Sequence, residues 1–177
     1  MRSKTLFLSQ AAIIAALYVV LTLISAAFGL DKGVIQFRIS EALTVLPFFT
    51  PAAIPGLFIG CLISNLLCGA LPPDILFGSL ATLLGAAGTY FLGRKVRFLS
   101  ALPPILANVA IVPWVLKLAY HAEGAVPYFA ATVFVGEFVC CGILGTVLLY
   151  ALPERLFPLP KNKKKEGAVA SGRGKTA

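Results

Sequence analysis

Five groups able to bind a polar ligand stand in or beside apolar stretches of the chain: Glu137, Asn108, Asn65, Asp74 and Glu41. A carboxylate at the centre of a membrane helix costs about 2.5–3.5 kcal/mol on insertion scales, so such residues face a cavity or a partner. Glu137 stands about ten residues into the last apolar run, Pro127–Leu152. Asn108 is near the middle of Leu99–Ala119, and Asn65 is toward the far end of Ala53–Leu71. Asp74 follows Pro72-Pro73, and Glu41 opens a shorter run. Both acids also suit the positive N-terminal end of a helix dipole, which explains them equally well. An interhelix hydrogen bond competes with ligand contact for Asn108, and an ion pair with Lys117 or Arg38 competes for Glu137.

Gln36, Phe37 and Arg38 crowd the segment before Glu41, where Arg38 can lock a loop against an acid. Phe37, Trp114 and Tyr128 offer faces on which a flat ring can stack. An interfacial belt accounts for Tyr and Trp at helix ends, but Trp114 lies about one turn deeper than a belt residue. The chemistry of such a set is binding. No nucleophile stands beside a base, and no phosphate loop is present. His121 is a lone histidine, and Cys61, Cys68, Cys140 and Cys141 lie in apolar runs without ligand spacing. The expectation is therefore a non-enzyme with no catalytic residue, no metal and no cofactor.

The elements that must position these residues are membrane helices. Hydrophobic residues make up 59% of the chain and charged ones 12%, far from the roughly 45–50% and 25% of soluble domains. The net charge of +8 does not mark a nucleic-acid surface, because six of the fifteen Lys and Arg lie in residues 161–177 and most others punctuate apolar runs. The first run, Leu6–Phe28, is too long for a signal-peptide core of about 7–15 residues and reads as a retained helix. Clear spans of about 20 residues follow at Ala53–Leu71, Ile75–Gly93, Leu99–Ala119 and Pro127–Leu152. Ser40–Pro51 is half that length and is punctured by Pro47, with Pro51 and Pro55 beyond it, so a straight helix from Ser40 to Leu71 is excluded.

Charge parity decides whether Ser40–Pro51 counts. Arg2 and Lys4 place the N-terminus in the cytoplasm, and Lys161, Lys163, Lys164 and Lys165 place the C-terminus there. Matching ends require an even number of spans, and only six also puts Arg94, Lys95 and Arg97 inside. The expected fold is an all-α membrane protein of six transmembrane helices with both termini cytoplasmic and a short second helix. It occupies 1–160 and sits in a prokaryotic cytoplasmic membrane, with a basic, disordered cytoplasmic tail over 161–177. The second helix cannot cross a core of about 30 Å unless protein surrounds it or the bilayer thins. Before it, Gly29–Glu41 alternates polar and apolar residues at strand-like spacing and suits an ordered loop over the outer mouth.

In the first helix Ala11/Ala15 and Ala12/Ala16 form two adjacent pairs of small residues, a pattern that serves internal packing or an outside helix alike. Six short helices without a visible inverted repeat do not make a self-sufficient pump. The run Val34-Ile35-Gln36-Phe37-Arg38-Ile39-Ser40-Glu41-Ala42-Leu43-Thr44-Val45-Leu46-Pro47, with Pro51-Ala52-Ala53-Ile54-Pro55-Gly56-Leu57 and Gly60-Cys61-Leu62-Ile63-Ser64-Asn65, resembles the QueT-type queuosine precursor transporter family over most of Leu6–Leu152. That resemblance implies a substrate-binding S-component of an energy-coupling-factor transporter. It implies a transmembrane coupling subunit docked on Ala11/Ala15 or Ala12/Ala16, two cytoplasmic ATPases, and delivery by tilting of the whole subunit in the bilayer. The implied ligand is a 7-deazaguanine such as 7-aminomethyl-7-deazaguanine (preQ1) or queuine. Another vitamin within the same class, an accessory or channel subunit without a ligand, and an intramembrane enzyme are the competing readings.

Overall fold

The computed structural model describes residues 2–30, 35–93, 95–153 and 157, and the side chains of all of these except Arg2 and Ser3. The basic segment 161–177, assigned above to a disordered tail, lies outside the described residues. Among the described residues six helices follow one another: α1 (Arg2–Ala27), α2 (Ile39–Phe48), α3 (Ala53–Leu67), α4 (Pro72–Gly93), α5 (Arg97–Leu118) and α6 (Val126–Ala151). Four of them, α1, α4, α5 and α6, are long and apolar enough to cross a membrane, whereas α2 and α3 are shorter. Large apolar side chains such as Leu8, Phe91, Leu106 and Val147 point outward around the bundle. A soluble protein does not expose such a surface, whereas a bilayer covers it at no cost.

Each connection reverses the chain. Ser40 at the start of α2 meets Thr22 near the end of α1 (2.8 Å), and Thr50 just past α2 meets Gln10 near its beginning (2.8 Å). Likewise α3 climbs back past Ala11, Ala15 and Tyr18. At the far end of the chain Leu149 accepts a hydrogen bond from Arg97 at the start of α5 (2.6 Å). Six reversing passes bring the beginning of α1 and the end of α6 to the same end of the bundle. The even number that charge parity required is thus present in the packing.

The short helix is resolved in an unexpected way. α2 is a 3-10 helix of ten residues, and Ser40 through Pro47 are all buried. At about 2.0 Å per residue a 3-10 helix reaches about 20 Å, a third farther than an α-helix of equal length. Its backbone lies in the middle of the bundle, packed on α1, α4 and α6, so its tight geometry never meets lipid. The Thr44 hydroxyl donates to the Glu41 carbonyl (2.6 Å) and touches Cys141 Sγ on α6 (3.0 Å), which ties the segment down at its centre.

Small residues set the helix spacing. A Cβ on Gly56 would lie 2.7 Å from the Ala11 carbonyl oxygen, and one on Gly60 would lie 3.0 Å from that of Ala15. Ala11 and Ala15 therefore form the internal α1–α3 seam, whereas Ala12 and Ala16, about 100° farther round α1, are exposed. The same close approach joins Gly85 and Gly88 on α4 to Pro104 and Pro103 on α5. Both α4 and α6 contain a π-helical stretch, Thr89–Gly93 and Phe138–Leu144, the second starting directly after Glu137.

Residues 31–34 of the alternating segment before α2 lie outside the described residues, and the described part is not a strand. Residues 36–38 are extended without a ladder partner, and no strand occurs among the described residues. A lone extended segment has no neighbouring edge to pair with here. Instead the Phe37 N–H bonds back to the Leu30 carbonyl (2.9 Å), and the Gln36 carbonyl presses on α6 at Gly136, where any side chain would collide with it.

Candidate functional site

A cavity of about 330 Å³ opens at the end of the bundle opposite the start of α1. Three helices line it with residues four apart, the spacing that keeps side chains on one helix face. These are Asp74, Gly78 and Thr82 on α4, Asn108, Val112 and Leu116 on α5, and Val133 and Glu137 on α6. Thr22 on α1, Gln36 and Arg38 before α2, Glu41 on α2 and Asn65 on α3 complete the polar wall, with Cys68, Gly69, Ala70 and Tyr120 at the mouth. The volume is at the lower end of the roughly 300–1,000 Å³ of small-molecule sites, which selects a compact ligand.

The polar atoms divide into those already satisfied and those left open. Tyr18 Oη donates to Glu41 Oε1, and Arg38 Nη1 donates to Asn65 Oδ1 (3.1 Å). Tyr120 Oη donates to Asp74 Oδ2 (2.9 Å) and accepts the Leu71 N–H (3.2 Å). Tyr120 lies just beyond α5, and burial followed by the facing Asp74 carboxylate pushes its hydroxyl above the ordinary phenolic range. It therefore stays a donor at neutral pH. By contrast Glu41 Oε2, Glu137 Oε2 and Asn108 Nδ2 are buried and have no hydrogen-bond partner among the described residues. Asn108 stands beside both carboxyl groups without closing a bond from Nδ2. Buried orphan atoms cost about 1–3 kcal/mol each, so three converging on one cavity mark a place built for something else to satisfy.

Seven residues expected from sequence meet here: Glu137, Asn108, Asn65, Glu41, Asp74, Arg38 and Gln36. Phe37, Trp114 and Tyr128 are absent from the wall. Trp114 and Tyr128 are about half exposed, and Trp114 lines a separate apolar groove between α4 and α5 instead. The reason is rotation: at about 100° per residue Trp114 lies roughly 200° around α5 from Val112, and Tyr128 lies about 180° around α6 from Glu137. The aromatic residue that does reach the cavity is Tyr120, which its place at a helix end disguised as a belt residue. Lys117 is not the partner of Glu137, since its ammonium donates to the Gly124 carbonyl (2.9 Å). Arg38 bonds Asn65 rather than an acid, although it contributes positive charge to Asp74, Glu41 and Glu137 alike.

An apolar exterior, six reversing helices and an enclosed polar cavity reached from one end define a polytopic membrane protein built to hold a small polar solute. A family model described as QueT transporter matches residues 8–154. The relative named "Queuosine precursor transporter QueT" from Lactococcus lactis subsp. cremoris (strain MG1363) is 31% identical over 165 residues, covering 88% of this chain and 96% of the relative. The chain belongs to the QueT transporter family and is a membrane transport protein. No solved structure matches it at a significant level.

Proposed function

We propose that this protein captures a queuosine precursor, a cationic 7-deazaguanine such as preQ1 or queuine, as the substrate-binding S-component of an energy-coupling-factor transporter. The observation that carries the reading is the open set of Glu41 Oε2, Glu137 Oε2 and Asn108 Nδ2. A guanine edge presents N1–H and N2–H donors beside the O6 acceptor, and two carboxylate oxygens and one amide N–H are its complement. Carboxylate acceptors make these bonds charge-assisted and short. Charge points the same way: among the described residues Arg38 is the single cation of the cavity wall against Glu41, Asp74 and Glu137, so a protonated aminomethyl group relieves an excess of negative charge. The relative's printed name supports the same ligand class.

The basic end of the bundle, with Lys4, Lys95 and Arg97, faces the cytoplasm of a prokaryotic cell in this reading. The cavity then opens to the outside. Ala12 and Ala16, exposed where Ala11 and Ala15 are not, are the pair left for a coupling subunit driven by two ATPases. Native mass spectrometry of the purified chain incubated with preQ1 tests the ligand assignment. A 1:1 adduct that Glu137→Gln strongly reduces is expected. No adduct, or one insensitive to that substitution, contradicts it.

A further inference from the structure

Asp74 lines the cavity with the other two acids, yet its situation differs from theirs. Like Glu41, whose Oε1 takes the Tyr18 hydroxyl, it has one oxygen occupied by a tyrosine, but Glu41 and Glu137 each keep a fully buried oxygen without a partner and Asp74 does not. The same Tyr120 oxygen accepts the Leu71 N–H, so one phenol ties the segment after α5 to the start of α4 across the cavity mouth. That segment is otherwise built for one shape. His121 is held at φ 50°, the Ala122 N–H bonds the Leu116 carbonyl (3.1 Å), and Lys117 bonds the Gly124 carbonyl. A non-glycine residue in the left-handed region is uncommon and persists where surrounding bonds hold it. Tyr120 is also the one aromatic on the cavity wall among the described residues.

We infer that Tyr120 is the rim residue that covers the bound ligand, and that Asp74 is its positioning residue rather than a ligand acid. Resting on the binding reading above, this leaves the guanine edge to Glu41 and Glu137 and leaves Asp74 to hold the mouth closed. The tether works by slowing escape, so its loss acts on the dissociation rate while the open acids still set the association step.

A double-mutant cycle on preQ1 dissociation tests it. Tyr120→Phe keeps the ring and cuts the tether, and it should raise the dissociation rate about tenfold, as loss of a hydrogen bond to a charged group does. Asp74→Ala should match it, the pair Tyr120→Phe/Asp74→Ala should be no worse than either, and Asp74→Asn should stay within about threefold of wild type because its amide oxygen accepts the same bond. If Asp74→Asn is as damaging as Asp74→Ala, or if the two losses multiply, Asp74 touches the ligand and the inference fails. A ligand-free measurement separates this from failure of the binding reading. Hydrogen exchange at the Leu71 amide should speed up in Tyr120→Phe, and unchanged exchange overturns the tether whether or not preQ1 binds. If the wild type binds no preQ1 while exchange does respond, the ligand assignment falls and the tether stands.

Discussion

Replacing Gly60 with alanine probes the link between helix packing and the ligand cavity. The added methyl would sit 2.8 Å from Tyr18 Cβ, 3.0 Å from the Ala15 carbonyl oxygen and 3.1 Å from Ala15 Cα. Carbon atoms rest about 3.5–4.0 Å apart, so α1 must retreat from α3 by about half an ångström or more. Two of the three obstacles are backbone atoms and cannot turn aside. Overpacking of this kind costs about 1–3 kcal/mol, which for a chain of this length lowers the unfolding midpoint by roughly 2–12 °C. Tyr18 moves with α1, and Tyr18 is the donor to Glu41 Oε1. Affinity for preQ1 should therefore fall together with stability. Thermal unfolding in detergent or nanodiscs reads the first effect, with Ala16→Leu as the control, because Ala16 is exposed and a larger side chain there meets only lipid. If Gly60→Ala unfolds at the wild-type temperature while Ala16→Leu does not, the α1–α3 seam has been assigned to the wrong face of α1.

Glu137→Gln should weaken preQ1 binding by about 10–150-fold, the worth of one hydrogen bond to a charged group, in an equilibrium titration with the fold intact by circular dichroism. Gly136→Ala should displace the Gln36 carbonyl and with it Arg38, and weaken binding at least about tenfold, with a smaller loss of thermal stability. Arg97→Ala removes the bond to the Leu149 carbonyl and the contacts with the Phe48 and Tyr150 rings at the other end of the bundle. It should cost about 1–3 kcal/mol of stability while leaving preQ1 affinity unchanged. Ala16→Leu should leave binding intact and abolish recovery of the coupling subunit in a co-purification.

Much of the architecture was legible because the membrane restricts it. Pro47, Pro51 and Pro55 forbade one long helix between Ser40 and Leu71, and the basic clusters demanded an even count, so six helices followed without any contact information. The 3-10 form of α2 was hidden, since it follows from α1, α4 and α6 closing around Ser40–Pro47 rather than from any local preference. In the site, Glu41, Asn65, Asp74, Asn108 and Glu137 were legible because polar groups at membrane depth require a reason. Depth, however, says nothing of direction around a helix. Trp114 was placed by depth and missed by rotation, although projection of Asn108, Val112 and Leu116 onto one face would have excluded it. Tyr120 was hidden for a different reason: it lies past the last residue of α5, where helical projection no longer applies.

Calorimetric titration of the purified chain with preQ1, set against adenine, tests the central claim most directly. A cavity whose Glu41, Glu137 and Asn108 await two donors and one acceptor should bind preQ1 with 1:1 stoichiometry, and tighter than adenine by about a hundredfold or more, because adenine leaves those buried groups unpaired. Equal affinity for the two, or no saturable binding of preQ1, would contradict the assignment of this cavity to a 7-deazaguanine.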